Sequence, residues 1–428
     1  MKSYKEMSKD ELLKEKEELL AEYEKYKNQN LKLDMSRGKP CKEQLDLSNE
    51  IFDVFNSKSD FKTGSGTDCR NYGDLYGISE AKKYFAELLS VKEDMIMACG
   101  ASSLNMMYNV LSNAMLYGLN GNEPWKNLKE VKFLCPSPGY DRHFAITEHM
   151  GIKMINIPYI DGILDIDTIE KLVKDDENIK GIWCVPKYEN PLGTTYSDDI
   201  VKRLGKLKPK AKDFIIMWDN AYIVHDLYDD KKDELLNIFD ITNGTENENM
   251  VYEFASTSKI TLAGGGISCI ATSANNLNSM KKDFTVSIIS YDKVNMLRHV
   301  RYLKNKQNTI EHMRKHAALL RPKFDKVKQV FEKNLNGLDI ANWTDPLGGY
   351  FITFFTMNNI AKKVFSRCKE AGVTLTSVGA AFPYSDDPND NCIRIAPSLP
   401  KVDELETAAE LFTLCVRIES IDKILEEK

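Results

Sequence analysis

The sequence predicts an α/β fold in which a large domain holds a mostly parallel, doubly wound sheet of seven strands, beside a smaller α+β domain. Between residues 95 and 275, short apolar runs alternate with helical segments, which is the rhythm of βαβ units. Several runs are apolar without alternation, as expected for strands covered on both faces. The last hundred residues instead mix strands with helices.

The strands of the large domain are predicted from seven apolar runs: 95–100, 132–136, 153–159, 179–186, 214–222, 251–256 and 266–273. Helical stretches such as 102–116 and 197–207 lie between most of them. Residues 292–334 are charged and helical, and they predict a long connecting helix that is broken or kinked near Pro322.

The two ends of the chain are predicted to combine in the smaller domain. A capping box at Ser8 and Glu11 opens an amphipathic helix, and an arm with the sequence SRGKP follows at 36–40. The C-terminal elements are predicted as strands and helices in four segments: 348–355, 359–371, 392–397 and 402–427. The chain is therefore divided into an N-terminal helix and arm, a large domain and a small domain: 1–55, 56–320 and 321–428.

Composition excludes several classes of protein. With 42% apolar and 29% charged residues, the chain is neither disordered nor a disulfide scaffold. The chain has a formal net charge of −6, so it lacks the overall basic character of a nucleic-acid binder. The nine scattered cysteines form no C-x-x-C pair, so we expect no metal site, reduced thiols and a cytoplasmic protein.

We also expect neither a signal peptide nor a membrane span. The N-terminal segment is charged throughout and has no apolar core of the kind that a signal peptide carries. Residues 95–122 carry no formal charge, but their serines and asparagines are too polar for a bilayer. This stretch is interpreted as buried protein interior.

Two ionisable residues stand at predicted strand ends. Lys259 is the only charged residue between Glu253 and Lys281. If Lys259 is buried, burial lowers the pKa of its side chain and favours the free amine, which can form Schiff bases. The alternative is a lysine whose side chain extends from a strand end into solvent. Asp219 follows an apolar run where α/β proteins place ligand groups, and with Tyr222 it could hold a ring N–H; the alternative is a helix N-cap.

Three further signals are weak when taken singly. Asn190 lies in an Asn-Pro-x-Gly sequence, which is also simply a turn. A Gly-Ala-Ser-Ser turn at 100–103 would present backbone N–H groups to a phosphate. Arg394, between two isoleucines, could hold a carboxylate in its planar fork or could lie on an exposed strand face. Taken together, these residues describe a site for pyridoxal phosphate.

At this point the chain resembles the fold-type-I pyridoxal-phosphate aminotransferases, most closely a bacterial aspartate aminotransferase subgroup. The resemblance runs in order from about residue 33 to 397 through these motifs: SRGKP, GASSLN, CPSPGYDRHF, NPLGTTYS, WDNAY, STSKI and LRHVRYLKN. It implies the fold of that family, pyridoxal phosphate as cofactor and a homodimer with active sites at the interface. It also implies ping-pong transfer of an amino group between L-aspartate, or a related amino acid, and 2-oxoglutarate.

The resemblance assigns roles to individual residues. Lys259 would bind the cofactor and shuttle protons, Asp219 would pair with the ring nitrogen, and Asn190 with Tyr222 would bind the phenolic oxygen. The phosphate would be bound by residues of two turns and, from the neighbouring subunit, by a tyrosine: Ala101, Ser102, Ser103, Ser256, Ser258 and Tyr72. The substrate carboxylate would be bound by Gly38, Asn190 and Arg394, and Tyr140 would cover the ring.

Two positions depart from the family pattern. Many relatives have an arginine eight residues after the lysine, where this chain has Ile267, and the usual ring-stacking position is shifted around Ser137 and Pro138. A dicarboxylate substrate needs a second cation, for which there are four candidates: Arg37, Lys39, Arg298 and Arg301.

Three alternative functions stay open at the level of the sequence. They are an aromatic or broad-specificity aminotransferase, a β-lyase or decarboxylase with the same cofactor, and a ligand-sensing module. A sensing module would need a DNA-binding domain, for which the roughly thirty residues before Leu33 are too few.

Overall fold

The computed structural model describes residues 2–428. Within that range the strands are β1 Leu33–Asp34, β2 Ile96–Cys99, β3 Lys132–Ser137, β4 Lys153–Ile160, β5 Ile163–Leu164, β6 Ile179–Cys184, β7 Ile215–Asp219, β8 Val251–Ser256, β9 Ser268–Ala271, β10 Ala341–Trp343, β11 Ile352–Thr356, β12 Val373–Thr374 and β13 Cys392–Ile395. The α-helices of the same range are α1 Lys9–Lys27, α2 Lys42–Asp46, α3 Ser79–Leu89, α4 Ser103–Tyr117, α5 Asp141–His149, α6 Ile166–Asp175, α7 Asp198–Gly205, α8 Phe239–Thr242, α9 Ala274–Ser287, α10 Lys293–Leu303, α11 Lys306–Leu335, α12 Ala361–Glu370 and α13 Val402–Glu427.

The main sheet is mostly parallel, as predicted, and all seven predicted strands form in it. Its order across the described residues is β2-β9-β8-β7-β6-β3-β4-β5, with β9 antiparallel to both of its neighbours. The prediction of seven strands is wrong by one, because β5 adds an eighth at the edge. Asp161 and Gly162 take positive φ angles of 49° and 77°, which folds the chain back on β4 after two residues.

The carboxyl ends of β2, β3, β6, β7 and β8 meet at one edge of this sheet, because these strands run in the same direction. The turns that follow them therefore lie close together, and they are residues 100–103, 137–140, 185–190, 220–222 and 257–259. This is the edge at which doubly wound sheets bind ligands.

A second apolar core joins the two ends of the chain. It packs buried side chains of residues 4–35 with those that follow residue 320, and smaller sheets support it: β10-β11-β13, and β1 paired with β12. The capping box at Ser8 and Glu11 forms as predicted and starts α1. The domain bounds at 55 and 320 stay a prediction.

The long connecting helix breaks at a different place from the one predicted. Lys304 has a φ of 63°, which ends α10, and the Asn305 side chain then caps α11 by accepting a hydrogen bond from Asn308. Helix α11 runs on through Pro322. The break therefore comes from a left-handed residue followed by a new N-cap, and the proline is accommodated inside a helix that packing stabilises.

The uncharged stretch 95–122 is only partly the buried interior that was predicted. Strand β2 is buried throughout, and one face of α4 packs on the sheet. The opposite face carries Leu116 and Tyr117, which are 46% and 63% exposed. The reason is that α4 covers the sheet with one side only. No helix in residues 2–428 is long and apolar enough to cross a membrane.

Candidate active site

Lys259 lies in the turn that follows β8, at the edge where the strand ends converge. Its Nζ is 4.2 Å from the centroid of the Tyr222 ring. Burial lowers the pKa of the Lys259 amine, while Tyr140 and Asp219 oppose that shift. The amine therefore lies inside the protein beside the other predicted site residues, and the alternative of a solvent-directed lysine does not hold.

Asp219 ends β7 and has one carboxylate oxygen free. Its Oδ2 lies 3.0 Å from Nε2 of His143, whereas its Oδ1 is buried and has no partner in residues 2–428. A carboxylate only accepts hydrogen bonds, so His143 presents the tautomer with a proton on Nε2. No helix begins between 220 and 238, which rules out the alternative that Asp219 is an N-cap.

His143 is a site residue that sequence reasoning missed. Its ring stacks on Trp183, with centroids 4.2 Å apart and planes at 6°, and Tyr140 packs edge-on against it at 4.9 Å. This packing fixes the imidazole against Asp219. The available signal was its place in the first turn of α5, directly after β3 at the ligand-binding edge.

Arg394 and Gly38 both contact the ring of Phe351. The Arg394 guanidinium carbon is 4.9 Å from the centroid of the Phe351 ring. A Cβ built on Gly38 would lie 2.1 Å from Cζ of Phe351, so only glycine lets this ring take its place. Because the Arg394 side chain is only 12% exposed, the alternative of an exposed strand face does not hold.

The guanidinium of Arg394 is also tied by hydrogen bonds. Its Nε donates to Oγ1 of Thr376 at 3.3 Å, and one Nη donates to Oδ1 of Asn190 at 3.3 Å and to Oδ1 of Asp141 at 3.2 Å. The structure thus brings Asn190 and Arg394 together. Phe351, Thr376 and Asp141 had no signal in the sequence, since they come from separate elements.

The small-residue turns after β2 and β8 also come together. Ser258 Oγ donates to the carbonyl of Ala101 at 3.0 Å, and Ser256 Oγ accepts from the Ser258 N–H at 3.4 Å. Ser102 caps α4, whose first residue is Ser103. Hydroxyl groups and the N-terminus of α4 therefore lie together where these two turns meet. Their hydrogen-bond donors suit an anion.

Ile267 is buried, and as an apolar residue it supplies no positive charge to a phosphate at the turns after β2 and β8. Its backbone N–H donates to Oγ1 of Thr257 at 2.9 Å, and its carbonyl accepts from the Thr257 N–H at 2.8 Å. The adjacent glycine segment is bound by Asn295, whose Nδ2 donates at 3.0 Å to the carbonyls of Gly265 and Gly266.

The four candidate cations differ in how they are held. Arg298 donates to Asn295 Oδ1 at 2.5 Å, and its Nε is buried with no partner in the described chain. Arg301 is bound to the carbonyls of Asp60 and Lys62, and Arg37 and Lys39 are exposed. Arg298 is therefore linked through Asn295 to the glycine segment that follows Lys259.

Tyr72 stands apart from this cluster. Its side chain is 76% exposed, and its carbonyl accepts a hydrogen bond from Lys293 Nζ at 3.0 Å.

Tyr222, in contrast, lies inside the cluster. It is 1% exposed, and burial raises the pKa of its phenol.

The residues present fit pyridoxal phosphate in three respects. A desolvated amine can bind an aldehyde, and the buried, unpartnered Oδ1 of Asp219 calls for a donor such as a protonated ring nitrogen. The turns at 101–103 and 256–258 offer hydroxyl and backbone donors to a phosphate.

The sequence of this chain is similar to those of known aminotransferases. The family model described as aspartate amino-transferase matches residues 7–428. An aspartate aminotransferase of Corynebacterium glutamicum is 43% identical over 401 residues, which are 94% of this chain and 92% of that protein.

Solved structures agree with that result. The crystal structure of an aspartate transaminase from C. glutamicum has a TM-score of 0.95 at 41% identity and covers 99% of both chains. A Pyrococcus horikoshii kynurenine aminotransferase, in complex with PMP, has a TM-score of 0.75 at 18% identity and covers 94% of each chain; at that identity the similarity shows the fold alone.

Proposed function

Because the chain belongs to the aspartate aminotransferase family and is an aminotransferase, we propose that it uses pyridoxal phosphate to exchange an amino group between L-aspartate, or a related amino acid, and 2-oxoglutarate. One observation carries the proposal: the desolvated amine of Lys259 lies beside Tyr222, in the same buried cluster as the unpaired carboxylate oxygen of Asp219.

The cofactor, when bound, supplies a ring that withdraws electrons and stabilises negative charge at the substrate α-carbon. Lys259 supplies the base. Its lowered pKa keeps more of the amine in the neutral form at neutral pH, so it can accept the α-proton and later return a proton. The same amine serves both half-reactions, and the reaction is ping-pong because the first 2-oxo acid leaves before the second one binds.

Asp219 holds a proton at the ring nitrogen. His143 occupies one of its oxygens, which leaves the other oxygen fixed in direction and unpaired. The stacked Trp183 prevents the imidazole from rotating away. A carboxylate that is already oriented loses little entropy when the cofactor binds, and it keeps the ring protonated.

Arg394 and Asn190 bind the substrate carboxylate. Since Oδ1 of Asn190 accepts from Arg394, its Nδ2 is free to donate to the substrate or to the phenolic oxygen of the cofactor. Phe351 supports the flat face of the guanidinium, and Gly38 leaves room for that ring. The second carboxylate of the substrate would be bound by one of the four candidate cations.

We also propose a cytoplasmic homodimer with the domain bounds given above. A groove on the sheet's α4 side is lined by the exposed side chains of Leu116, Tyr117 and Val286. Val286 is 87% exposed, and this amount of apolar surface favours a covering partner. The exposed Tyr72 would then reach the phosphate of the second copy, as the family pattern implies.

The proposed cytoplasmic location is supported by the cysteines. All nine cysteines are free and buried, in keeping with a reducing compartment.

The experiment is an absorbance spectrum of the purified protein with pyridoxal phosphate, before and after addition of aspartate. We expect an amino-acid-dependent spectral change with release of oxaloacetate in the wild type, and neither in Lys259→Met. Lys180→Met is the matched control, because Lys180 is a buried lysine whose amine pairs with Asp213 at 2.7 Å, away from the proposed site. Turnover by Lys259→Met would refute the mechanism, and a spectrum that no amino acid changes would favour the ligand-sensing function.

A further inference from the structure

The Arg394 guanidinium has fewer free donors than its role requires. It carries five N–H groups, of which Nε–H is used by Thr376 and the two protons of one Nη by Asn190 and Asp141. Only the other Nη is without a partner in residues 2–428. A carboxylate that binds in the usual two-point manner needs one proton from each of two neighbouring nitrogens. One of the existing bonds must therefore break when the substrate carboxylate binds.

Asp141 is the partner most easily displaced. Asn190 is only 5% exposed, so little water could replace its bond to Arg394, and Thr376 is bonded to Nε rather than to the Nη that Asn190 and Asp141 share. The Asp141 side chain is 33% exposed, so water can solvate it after release. It is also the first residue of α5, where the helix N-terminus stabilises a free negative charge.

The Asp141–Arg394 pair joins two separate parts of the fold. Asp141 follows β3 of the main sheet, whereas Arg394 lies on β13 of the three-stranded sheet. Nearby, the Gly139 N–H donates to the Ala381 carbonyl at 2.7 Å, across the same boundary. Asp141 is thus held against the guanidinium by the packing of two elements, and its carboxylate uses an Nη proton that a substrate carboxylate would otherwise be free to bind.

We propose that Asp141 is a built-in competitor for the substrate carboxylate and sets how tightly this enzyme binds acids. In the free enzyme it neutralises Arg394; a substrate must displace it, and this raises the dissociation constant of every carboxylate ligand. The proposal rests on the proposed function, because it takes Arg394 as the group that binds the substrate carboxylate.

The test measures binding of succinate, a dicarboxylate without an amino group, to the cofactor-loaded enzyme by titration calorimetry. We expect Asp141→Asn to lower the succinate dissociation constant about tenfold, which corresponds to ~1.4 kcal/mol, the order of one charge-assisted hydrogen bond. Asp141→Ser, which keeps an oxygen at the start of α5, is expected to act in the same direction and serves if the first variant does not fold.

The matched control is Asp198→Asn, since Asp198 is likewise the first residue of a helix and pairs with a cation, Lys202, at 3.7 Å. It should leave the succinate dissociation constant unchanged. If Asp141 only positioned Arg394, its removal would weaken binding, so an equal or higher dissociation constant in both Asp141 variants overturns the proposal. Arg394→Lys separates the two failures: if it binds succinate as the wild type does, the proposed carboxylate site itself is wrong.

Discussion

The unpaired oxygen of Asp219 leads to a prediction with two opposite signs. In Asp219→Asn the amide oxygen can still accept from His143, but an N–H group takes the place of the free Oδ1. The cofactor-free protein then buries a neutral amide group in place of a charged oxygen without a partner, and it should become more stable. The protonated ring nitrogen of the cofactor would meet a donor instead of an acceptor, so cofactor binding should weaken.

The magnitudes follow from the structure. An unpartnered buried group costs more when it is charged than when it is neutral, and a difference of about 1–3 kcal/mol should raise the melting temperature of the cofactor-free variant by about 1–3 °C in a chain of this length. Loss of a charge-assisted hydrogen bond of about 1.5–3 kcal/mol should raise the dissociation constant of pyridoxal phosphate by roughly tenfold to 150-fold.

Differential scanning fluorimetry of the cofactor-free protein and a fluorescence titration with pyridoxal phosphate measure the two quantities. Asp213→Asn is the matched control, because Asp213 is equally buried but both of its oxygens are bonded, to Trp125 at 2.6 Å and to Lys180 at 2.7 Å. The control should lose stability and keep its cofactor affinity. A fall in the melting temperature of Asp219→Asn together with unchanged cofactor affinity would refute the reasoning.

Three further predictions concern other parts of the molecule. Gly38→Ala should raise the KM for the amino donor about tenfold, because the new methyl group would displace the Phe351 ring that supports Arg394, whereas Gly264→Ala, with nothing within 4 Å, should leave the KM unchanged. Burial raises the pKa of the Glu253 carboxyl group from its ordinary value of 4.5 to about 7. Between these two pH values the folded protein holds a proton that the unfolded chain has lost. The free energy of unfolding therefore falls by about 3 kcal/mol as the pH rises from 4.5 through 7. Glu253→Gln should therefore raise the melting temperature at pH 8 and have little effect at pH 5, and an equal effect at both pH values would contradict the assignment. Val286→Glu should raise the dimer dissociation constant at least about tenfold in light-scattering measurements, while Leu13→Glu, also at an exposed apolar position, should not.

The sequence was informative wherever a local pattern reflects burial. Six of the seven predicted strands are almost wholly buried, and burial on both faces is what preserves continuous apolar runs. Strand β5 escaped prediction because two residues carry no periodicity. The break at Lys304 escaped because a lysine with positive φ has no signature of its own, whereas Pro322 has one and does not end the helix.

The same distinction holds for the candidate site. Asp219 and Lys259 follow strands, so the fold class alone places them at one edge. Phe351, Thr376 and Asp141 reach Arg394 from three different elements, and that convergence depends on how the two cores pack. No spacing in the sequence expresses it.

The joining of the chain ends has a consequence for how the protein is made. Strand β1 pairs with β12, and Arg417 Nε of α13 donates to the Tyr4 hydroxyl at 2.9 Å, across more than four hundred residues. On the ribosome, the first 35 residues must therefore wait for nearly the whole polypeptide before their apolar side chains are covered. Deletion of either end should expose the same core, and the apolar face of the N-terminal helix stays in contact with water until the C-terminal helix has been synthesised.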